Sequence, residues 1–243
     1  MVRTRLATAS LVLALAMGSF AGCDKKVEEC NTVIDKINAS VEKLKKAEKA
    51  PSGKPEQMAK DLKAYAEVAK TEAGELGKIE VTTPELQKHV DEYQAMAEEV
   101  AEAALEVANA SEALAKMVGD LEKIQKDWET KMKDVQTACT SPAGDCKAVM
   151  EQMTKIPTGS PDDDKYGDEL DKWAKGLETV EIKDDKLKTA VAAFAKVAKD
   201  QAGLVRKMKQ AETKGDAAMK KLDKATDKED PLVDKINKLC GAV

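Results

Sequence analysis

Residues 86–139 read LQKHVDEYQAMAEEVAEAALEVANASEALAKMVGDLEKIQKDWETKMKDVQTAC. Counting from Leu86 in alternating steps of four and three residues reaches an apolar or small side chain almost every time, which is the heptad spacing of a packed helix face. Only Ser111 and Gln125 are polar in this series. The stretch therefore predicts one helix of about 55 residues, on the order of 80 Å at 1.5 Å per residue. The series is Leu86, Val90, Tyr93, Ala97, Val100, Ala104, Val107, Ser111, Leu114, Val118, Leu121, Gln125, Trp128, Met132, Val135 and Cys139.

Start and stop signals elsewhere predict further helices and an all-α fold. Upstream, helices are expected at about 27–49 and 56–76, and Thr83-Pro84 then supplies the cap and first residue of the long helix. Downstream we expect helices at about 146–155 and from Ser160-Pro161 to about Leu177, then a second long helix from Asp184 or Asp185. A last short helix is expected from Asp230-Pro231 to Cys240. The second long helix has its own apolar series, Leu187, Val191, Phe194, Ala198, Val205, Met208, Met219 and Leu222.

The two halves of the chain resemble each other, which indicates an internal duplication. The segment from Ile79 through Ala97 matches the segment from Val180 through Ala198 at a constant offset of 101 residues. Upstream, Leu62, Tyr65 and Ala66 match Leu170, Trp173 and Ala174, with a spacing that differs by one heptad and so keeps the apolar face in phase. We predict a first repeat over residues 30–139 and a second over 140–243. The alternative is two unrelated helical stretches that share a generic apolar period.

If consecutive helices alternate in direction, the two long helices lie antiparallel and are shared by two stacked four-helix bundles in an elongated molecule. Cys139 and Cys146 then flank one end, and Cys30 and Cys240 lie at the other. Four cysteines in an exported chain favour two disulfides, and this arrangement predicts the pairs Cys30–Cys240 and Cys139–Cys146. A zinc site is the competing interpretation, but His89 is the only histidine and the cysteine spacings do not fit. We therefore predict no metal site.

The amino terminus has the layout of a secretory signal. A basic start with Arg3 and Arg5 precedes an apolar stretch from Leu6 to Ala21, and Phe20-Ala21-Gly22-Cys23 follows. These four residues resemble the lipobox of bacterial lipoproteins, in which the cysteine is acylated and becomes the first residue after cleavage. The resemblance implies a signal peptide at residues 1–22, lipidation at Cys23 and a short linker over 23–29. The alternatives are an ordinary signal peptide cut nearby and an uncleaved anchor helix.

A lipidated Cys23 would tether the chain to a bacterial membrane, since several acyl chains on one residue make a stable anchor. The tethered body would face the periplasm or the cell surface. Asp24 follows the cysteine, and in enterobacterial lipoproteins an aspartate there favours retention at the inner membrane. No terminal lysine is present for attachment to peptidoglycan, because the chain ends Gly241-Ala242-Val243.

Composition and charge narrow the function classes. Loss of residues 1–22 removes two of the 40 basic residues and none of the 45 acidic ones, so the formal charge falls from −5 to −7. Such a surface argues against a nucleic-acid partner. The sequence contains no phosphate-binding glycine loop, metal-ligand cluster or nucleophile elbow. His89, between Leu86 and Val90, is best explained as a surface histidine. We therefore predict neither enzymatic activity nor a cofactor.

The sequence favours a non-enzymatic, membrane-anchored envelope lipoprotein that acts as a helical spacer, scaffold or adaptor. In the predicted arrangement Trp128, Met132, Met150 and Met153 gather at the far end, and methionine with aromatic side chains can form an adaptable binding surface for an envelope protein. Filling a narrow core is the other explanation for these residues. Self-association through the heptad faces is an alternative within this class. The competing function is a lipid- or small-molecule-binding lipoprotein with an apolar cavity between Ala-rich helices.

Overall fold

A computed structural model describes residues 25–48, 54–140, 144–160, 163 and 165–241. Within them the chain is helical and contains no strand, which confirms the all-α prediction. Seven helices follow one another in these residues: α1 (Lys25–Ala47), α2 (Pro55–Leu76), α3 (Pro84–Ala138), α4 (Asp145–Met153), α5 (Tyr166–Glu178), α6 (Asp185–Thr226) and α7 (Glu229–Cys240). The signal segment, the lipobox and Cys23 lie outside the described residues.

The observed helix boundaries agree with the start and stop signals in the sequence, with two differences. Helix α1 begins at Lys25, so residues 25–29 of the predicted linker are already helical, because this segment holds good helix formers and an acid, Glu28, in the first turn. Helix α5 begins at Tyr166 and not at Ser160-Pro161. The backbone N–H of Asp163 bonds to the Ser160 carbonyl and the Asp163 carboxylate accepts from Lys165 N–H, so local turns occupy the segment before that helix.

Helix α3 spans 55 residues and α6 spans 42. Gly119 in α3 and Gly203 in α6 both lie within uninterrupted helix. Along α3 the eight apolar-series positions from Leu86 to Ser111 are buried. Burial then loosens, and Val118 is 44% exposed, before Val135 is buried again. The two ends of α3 therefore pack into a core more tightly than its middle.

The chain divides into two compact units, and each contains parts of both predicted repeats. The first unit comprises the described residues up to Ser111 and those from Gly215, and the second runs from Glu112 to Lys214. Helices α1 and α2 belong to the first unit with α7, while α4 and α5 belong to the second. Helices α3 and α6 contribute one segment to each unit, because both unit boundaries fall inside them.

The core of the first unit is built mainly from small and β-branched side chains. Alanines occupy many of its buried positions, as the alanine-rich composition predicts, among them Ala66, Ala69, Ala101 and Ala104. Its larger buried members are Val33, Ile37, Leu76, Leu86, Val90, Tyr93, Leu222 and Ile236. Polar groups in this unit are paired: Glu72, 3% exposed, accepts from Ser40 Oγ at 2.8 Å and from Lys43 Nζ at 2.7 Å, joining α1 to α2.

The core of the second unit is richer in aromatic residues. Phe194 is fully buried against two tryptophans that stack on each other, with ring centroids 4.7 Å from Trp128 and 5.9 Å from Trp173. The indole N–H of Trp173 donates to the Gln152 carbonyl at 2.9 Å, which ties α5 to the end of α4. The aliphatic part of this core is Val135, Val149, Leu170, Leu177, Leu187, Val191, Ala198 and Val205.

Each unit holds one cysteine pair at disulfide distance, and the two pairs are those that the sequence predicts. Cys30 and Cys240 join α1 to α7 with α-carbons 5.6 Å apart, across 210 residues of chain. Cys139 and Cys146 lie on either side of the connection from α3 to α4, with α-carbons 5.3 Å apart and a separation of 7 residues. Both distances lie within the normal range for a disulfide.

A carboxylate holds the segment that leads into each long helix. In the first unit Glu29 accepts hydrogen bonds from the backbone N–H and hydroxyl groups of both Thr82 and Thr83. The Thr82 hydroxyl contributes most to lowering the pKa of this buried carboxylate, to about 2. In the second unit Asp145 accepts from the backbone N–H groups of Lys183, at 2.6 Å, and Asp184, at 3.1 Å. Both long helices therefore start from a segment fixed by an acid on an earlier helix.

Candidate interaction site

The residues predicted to form an interaction surface divide into core and exposed members. Trp128, Met132 and Met153 pack against the core of the second unit and are half-buried. Met150 on α4 is 42% exposed. Three of the four side chains thus contribute to packing, and Met150 is the most exposed of the four.

Met150 belongs to an open groove of about 540 Å³ formed by the last turn of α3, the residues after it and one face of α4. The groove is lined by Gln136, Cys139, Thr140, Cys146, Lys147, Met150, Glu151 and Thr154. Lys147 and Glu151 lie one turn apart on α4 with an N–O distance of 4.0 Å, so the rim carries both charges. A methionine and a pair of cysteine sulfurs provide the apolar part. The groove can therefore accept an apolar side chain while the rim offers hydrogen-bond and charge partners.

Sequence reasoning identified Met150 and both cysteines of this groove but none of its polar members. These polar members are exposed residues on the helices or just past a helix end, and nothing in their spacing distinguishes them from other polar positions. They are Gln136, Lys147 and Glu151 on the helices, and Thr140 and Thr154 after the ends of α3 and α4. Their common surface arises because Cys139 and Cys146 bring the end of α3 against α4.

A second polar cluster lies in the first unit, between α2, α3 and the start of α7. The hydroxyl of Tyr93, which is 2% exposed, donates to Glu229 Oε1 at 2.9 Å. Burial and then the Glu229 carboxylate raise the pKa of Tyr93. Burial, with smaller effects of Glu229 and Glu48, raises the pKa of Tyr65 to about 12. The two phenols therefore stay protonated at neutral pH.

Glu229 is the carboxylate of this cluster, and its ionisation is less favourable in the folded chain than in water. Burial raises its pKa, Asp230 raises it further, and the Tyr93 hydroxyl and Lys45 lower it by less. The Tyr93–Glu229 pair has a counterpart in the other unit. At the offset of 101 residues, Tyr93 corresponds to Phe194 and Glu229 corresponds to Trp128. A packed aromatic group in one unit is thus replaced by a tyrosine and a carboxylate in the other. The signal was present in the sequence as a break in the internal similarity, and sequence reasoning did not use it.

Glu229→Gln is expected to stabilise the chain at neutral pH. The ordinary glutamate pKa is 4.5 and the folded value is raised, so the unfolded chain ionises first as pH increases. Below about pH 4 both states are protonated and the variant should match the parent. Its advantage should grow as pH rises above 4.5 and become constant above the folded pKa. Urea unfolding followed by circular dichroism at several pH values measures this difference.

Glu72→Gln is the matched control, because this buried glutamate in the same unit has the opposite shift. Burial raises its pKa, but the Lys43 and Ser40 hydrogen bonds with the lysine charges outweigh that effect and the pKa is lowered. The control variant should therefore be less stable than the parent at neutral pH, and the deficit should shrink in acid. A Glu229→Gln variant that loses stability at pH 7 would contradict the expected cost of the half-buried Glu229 carboxylate.

The remaining candidates have ordinary surroundings. His89 is partly buried and its Nδ1 faces Glu92 Oε2 of the same helix at 3.3 Å. Within the described ranges, no group of three or more His, Cys, Asp or Glu side chains is arranged to hold a metal ion. Among the helices of the described residues, none combines the length and apolarity required to cross a bilayer.

Comparison with known proteins identifies no relative. No protein-family model matches this chain, and neither a curated protein nor a solved structure matches it.

Proposed function

We propose that the protein is a non-enzymatic lipoprotein of the bacterial cell envelope, anchored through Cys23, that serves as a helical spacer, scaffold or adaptor for other envelope components. The observation that carries the proposal is the closeness of the anchor to the folded body. Only Asp24 separates Cys23 from Lys25, where α1 begins, and Cys30 in the same helix is paired with Cys240. A lipid at Cys23 would therefore be attached to a cross-linked helical unit with almost no intervening linker.

We also infer that the chain arose by duplication, and equivalent contacts support this. Glu29-Cys30 and Asp145-Cys146 are related by an offset of 116 residues, and in both the acid binds the segment before a long helix while the cysteine is paired. Cys139 and Cys240, the partners of those cysteines, are related by the offset of 101. Buried pairs at these two offsets are Val33 and Val149, Leu86 and Leu187, Val90 and Val191, Ala101 and Ala202, and Val135 and Ile236.

Duplication suits a spacer because it lengthens a helical body without requiring a new fold. In the proposed arrangement the long helices are antiparallel and support two stacked bundles, with the first unit near the membrane. The groove around Met150 belongs to the second unit, so the proposal places the partner-binding surface away from the lipid. Its apolar floor and mixed-charge rim fit a protein partner better than a polyanion, in keeping with a chain of formal charge −5.

The second candidate is a lipid- or small-molecule-binding lipoprotein, and the same groove favours it. Its volume of about 540 Å³ lies in the range of about 300–1,000 Å³ that is usual for ligand sites. The two functions differ in what occupies the groove, which an in-cell experiment can separate.

A photo-reactive amino acid in place of Met150 tests the proposal in living cells. Val118 provides the control, since it lies in the same unit and its exposure, 44%, is close to the 42% of Met150. The scaffold function predicts a crosslink from position 150, but not 118, to a specific envelope protein. A lipid or small-molecule adduct at 150 would favour the second candidate, and equal crosslinking at both positions would exclude a specific site at this groove.

The anchor is tested by Cys23→Ala. The parent should incorporate labelled fatty acid and resist salt extraction from membranes, whereas the variant should lose both properties. A parent chain that takes up no fatty acid and washes off with salt would instead indicate an ordinary signal peptide and no lipid anchor.

A further inference from the structure

The Cys139–Cys146 pair lies in the wall of the groove that contains Met150. Cys139 is half-buried and Cys146 is 8% exposed, and both line the open volume of about 540 Å³. Because Cys139 lines the open groove, a thiolate in solution can approach this residue from the groove. The pair is therefore accessible without unfolding of the unit.

The surroundings of Cys146 favour it as the leaving sulfur. It is the second residue of α4, where free backbone N–H groups and the helix dipole stabilise a thiolate. Lys147 follows directly and lines the same groove. Asp145 is the neighbouring negative charge, but its Oδ2 is engaged by the backbone N–H groups of Lys183 and Asp184. A leaving sulfur that is more stable as a thiolate speeds disulfide exchange, because negative charge develops on it in the transition state.

The other pair has different surroundings, although Cys240, like Cys139, is half-buried. Cys30 is the sixth residue of α1, is 3% exposed and belongs to the core of the first unit. Cys240 is the last residue of α7, where the carbonyl end of the helix disfavours a thiolate. Neither Cys30 nor Cys240 lines the groove described above. Attack at Cys240 would release a thiolate on Cys30 in the core, so reduction of this pair should be slower.

We propose that Cys139–Cys146 is a thiol–disulfide exchange site for a dithiol reductant, while Cys30–Cys240 is a structural bond. A reductant thiolate attacks Cys139 Sγ, and the S–S bond breaks with its electron pair on Cys146 Sγ, which later takes a proton. The second thiol of the reductant then attacks the reductant sulfur that is bonded to Cys139 in the mixed disulfide. This step closes the disulfide of the reductant and releases Cys139 as a thiol. Two electrons pass from the dithiol, which leaves as a disulfide.

Selective reduction in the full oxidised chain tests the proposal. The folded protein is treated with dithiothreitol, samples are quenched in acid and alkylated, and each cysteine is read by peptide mass spectrometry. We expect Cys139 and Cys146 to be reduced at least about tenfold faster than Cys30 and Cys240, as accessibility and thiolate stabilisation both predict. In guanidinium chloride the difference should largely disappear. Equal rates in the folded chain, or faster reduction of Cys30–Cys240, would overturn the proposal.

A separate experiment shows which of the two cysteine sulfurs the thiolate attacks. With a monothiol such as glutathione the second step is slow, so the mixed disulfide can be trapped and located. We expect glutathione on Cys139, and its accumulation on Cys146 would overturn the assignment of the leaving sulfur. Lys147→Gln should slow the reaction about two- to threefold by removing the charge that favours the departing thiolate. Lys175→Gln, which breaks only the ion pair with Asp171 in the same unit, should leave the rate unchanged.

Discussion

Replacing Cys30 and Cys240 together with alanine is expected to lower the free energy of unfolding by about 5 kcal/mol. The bond closes a segment of 210 residues, and in the chain-entropy model a long loop restricts the unfolded chain more than a short one does. Because Cys30 is in the core and Cys240 packs against it, loss of the bond also removes the covalent link between α1 and α7. The expected loss is comparable to the whole stability of many domains, about 5–15 kcal/mol.

The second disulfide is a matched control within the same chain. Cys139 and Cys146 are 7 residues apart, so the double alanine variant at these positions should lose only about 2.5 kcal/mol on the same model. Urea unfolding followed by circular dichroism and tryptophan fluorescence measures both losses. Both tryptophans, Trp128 and Trp173, belong to the second unit, so fluorescence reports on that unit and circular dichroism on the whole chain. Equal losses from the two double variants would contradict the chain-entropy account.

The disulfide pairing could be predicted from the sequence because the residues that begin and end each helix nearly determine the direction of the helices. Once Pro84, Pro142 and Pro231 divide the chain, alternation of direction leaves one arrangement in which all four cysteines meet a partner. The long helix α3 was also predictable, since an apolar heptad repeat that continues over 55 residues is compatible with little other than one helix. The start of α5 was not, because Ser160-Pro161 resembles a helix cap and the local turns at Asp163 compete with it.

Neither polar site could be predicted in the same way. The Tyr93–Glu229 hydrogen bond joins residues 136 positions apart, and Glu229 appears in the sequence only as an acid suited to the first turn of a helix. The groove depends on how two helix ends face each other across one disulfide, and its polar members follow no period. Apolar period determines which residues are buried, whereas the chemistry of a surface depends on contacts between distant segments that leave no repeating pattern.

Phe194→Ala is expected to lower the stability of the second unit by about 3–5 kcal/mol. Phe194 is fully buried and its ring meets both tryptophans, at 4.7 Å from Trp128 and 5.9 Å from Trp173. Alanine would remove the ring that packs edge-on against both tryptophans and leave a cavity lined by α3, α5 and α6. Each lost aromatic contact adds about 0.5–1.5 kcal/mol beyond the loss of buried area.

Because both tryptophans belong to the second unit, their fluorescence can show whether the loss of stability is confined to that unit. In urea the fluorescence transition of the variant should move to lower denaturant concentration than that of the parent, and circular dichroism should show part of the helical signal surviving to higher concentration. Phe194→Leu should cost less than about 1.5 kcal/mol, since most of the volume is kept. Val118→Ala, on an exposed position of the same unit, should change stability by no more than about 0.5 kcal/mol. If Phe194→Ala shifted both signals together by the full amount, the two units would unfold as one cooperative body.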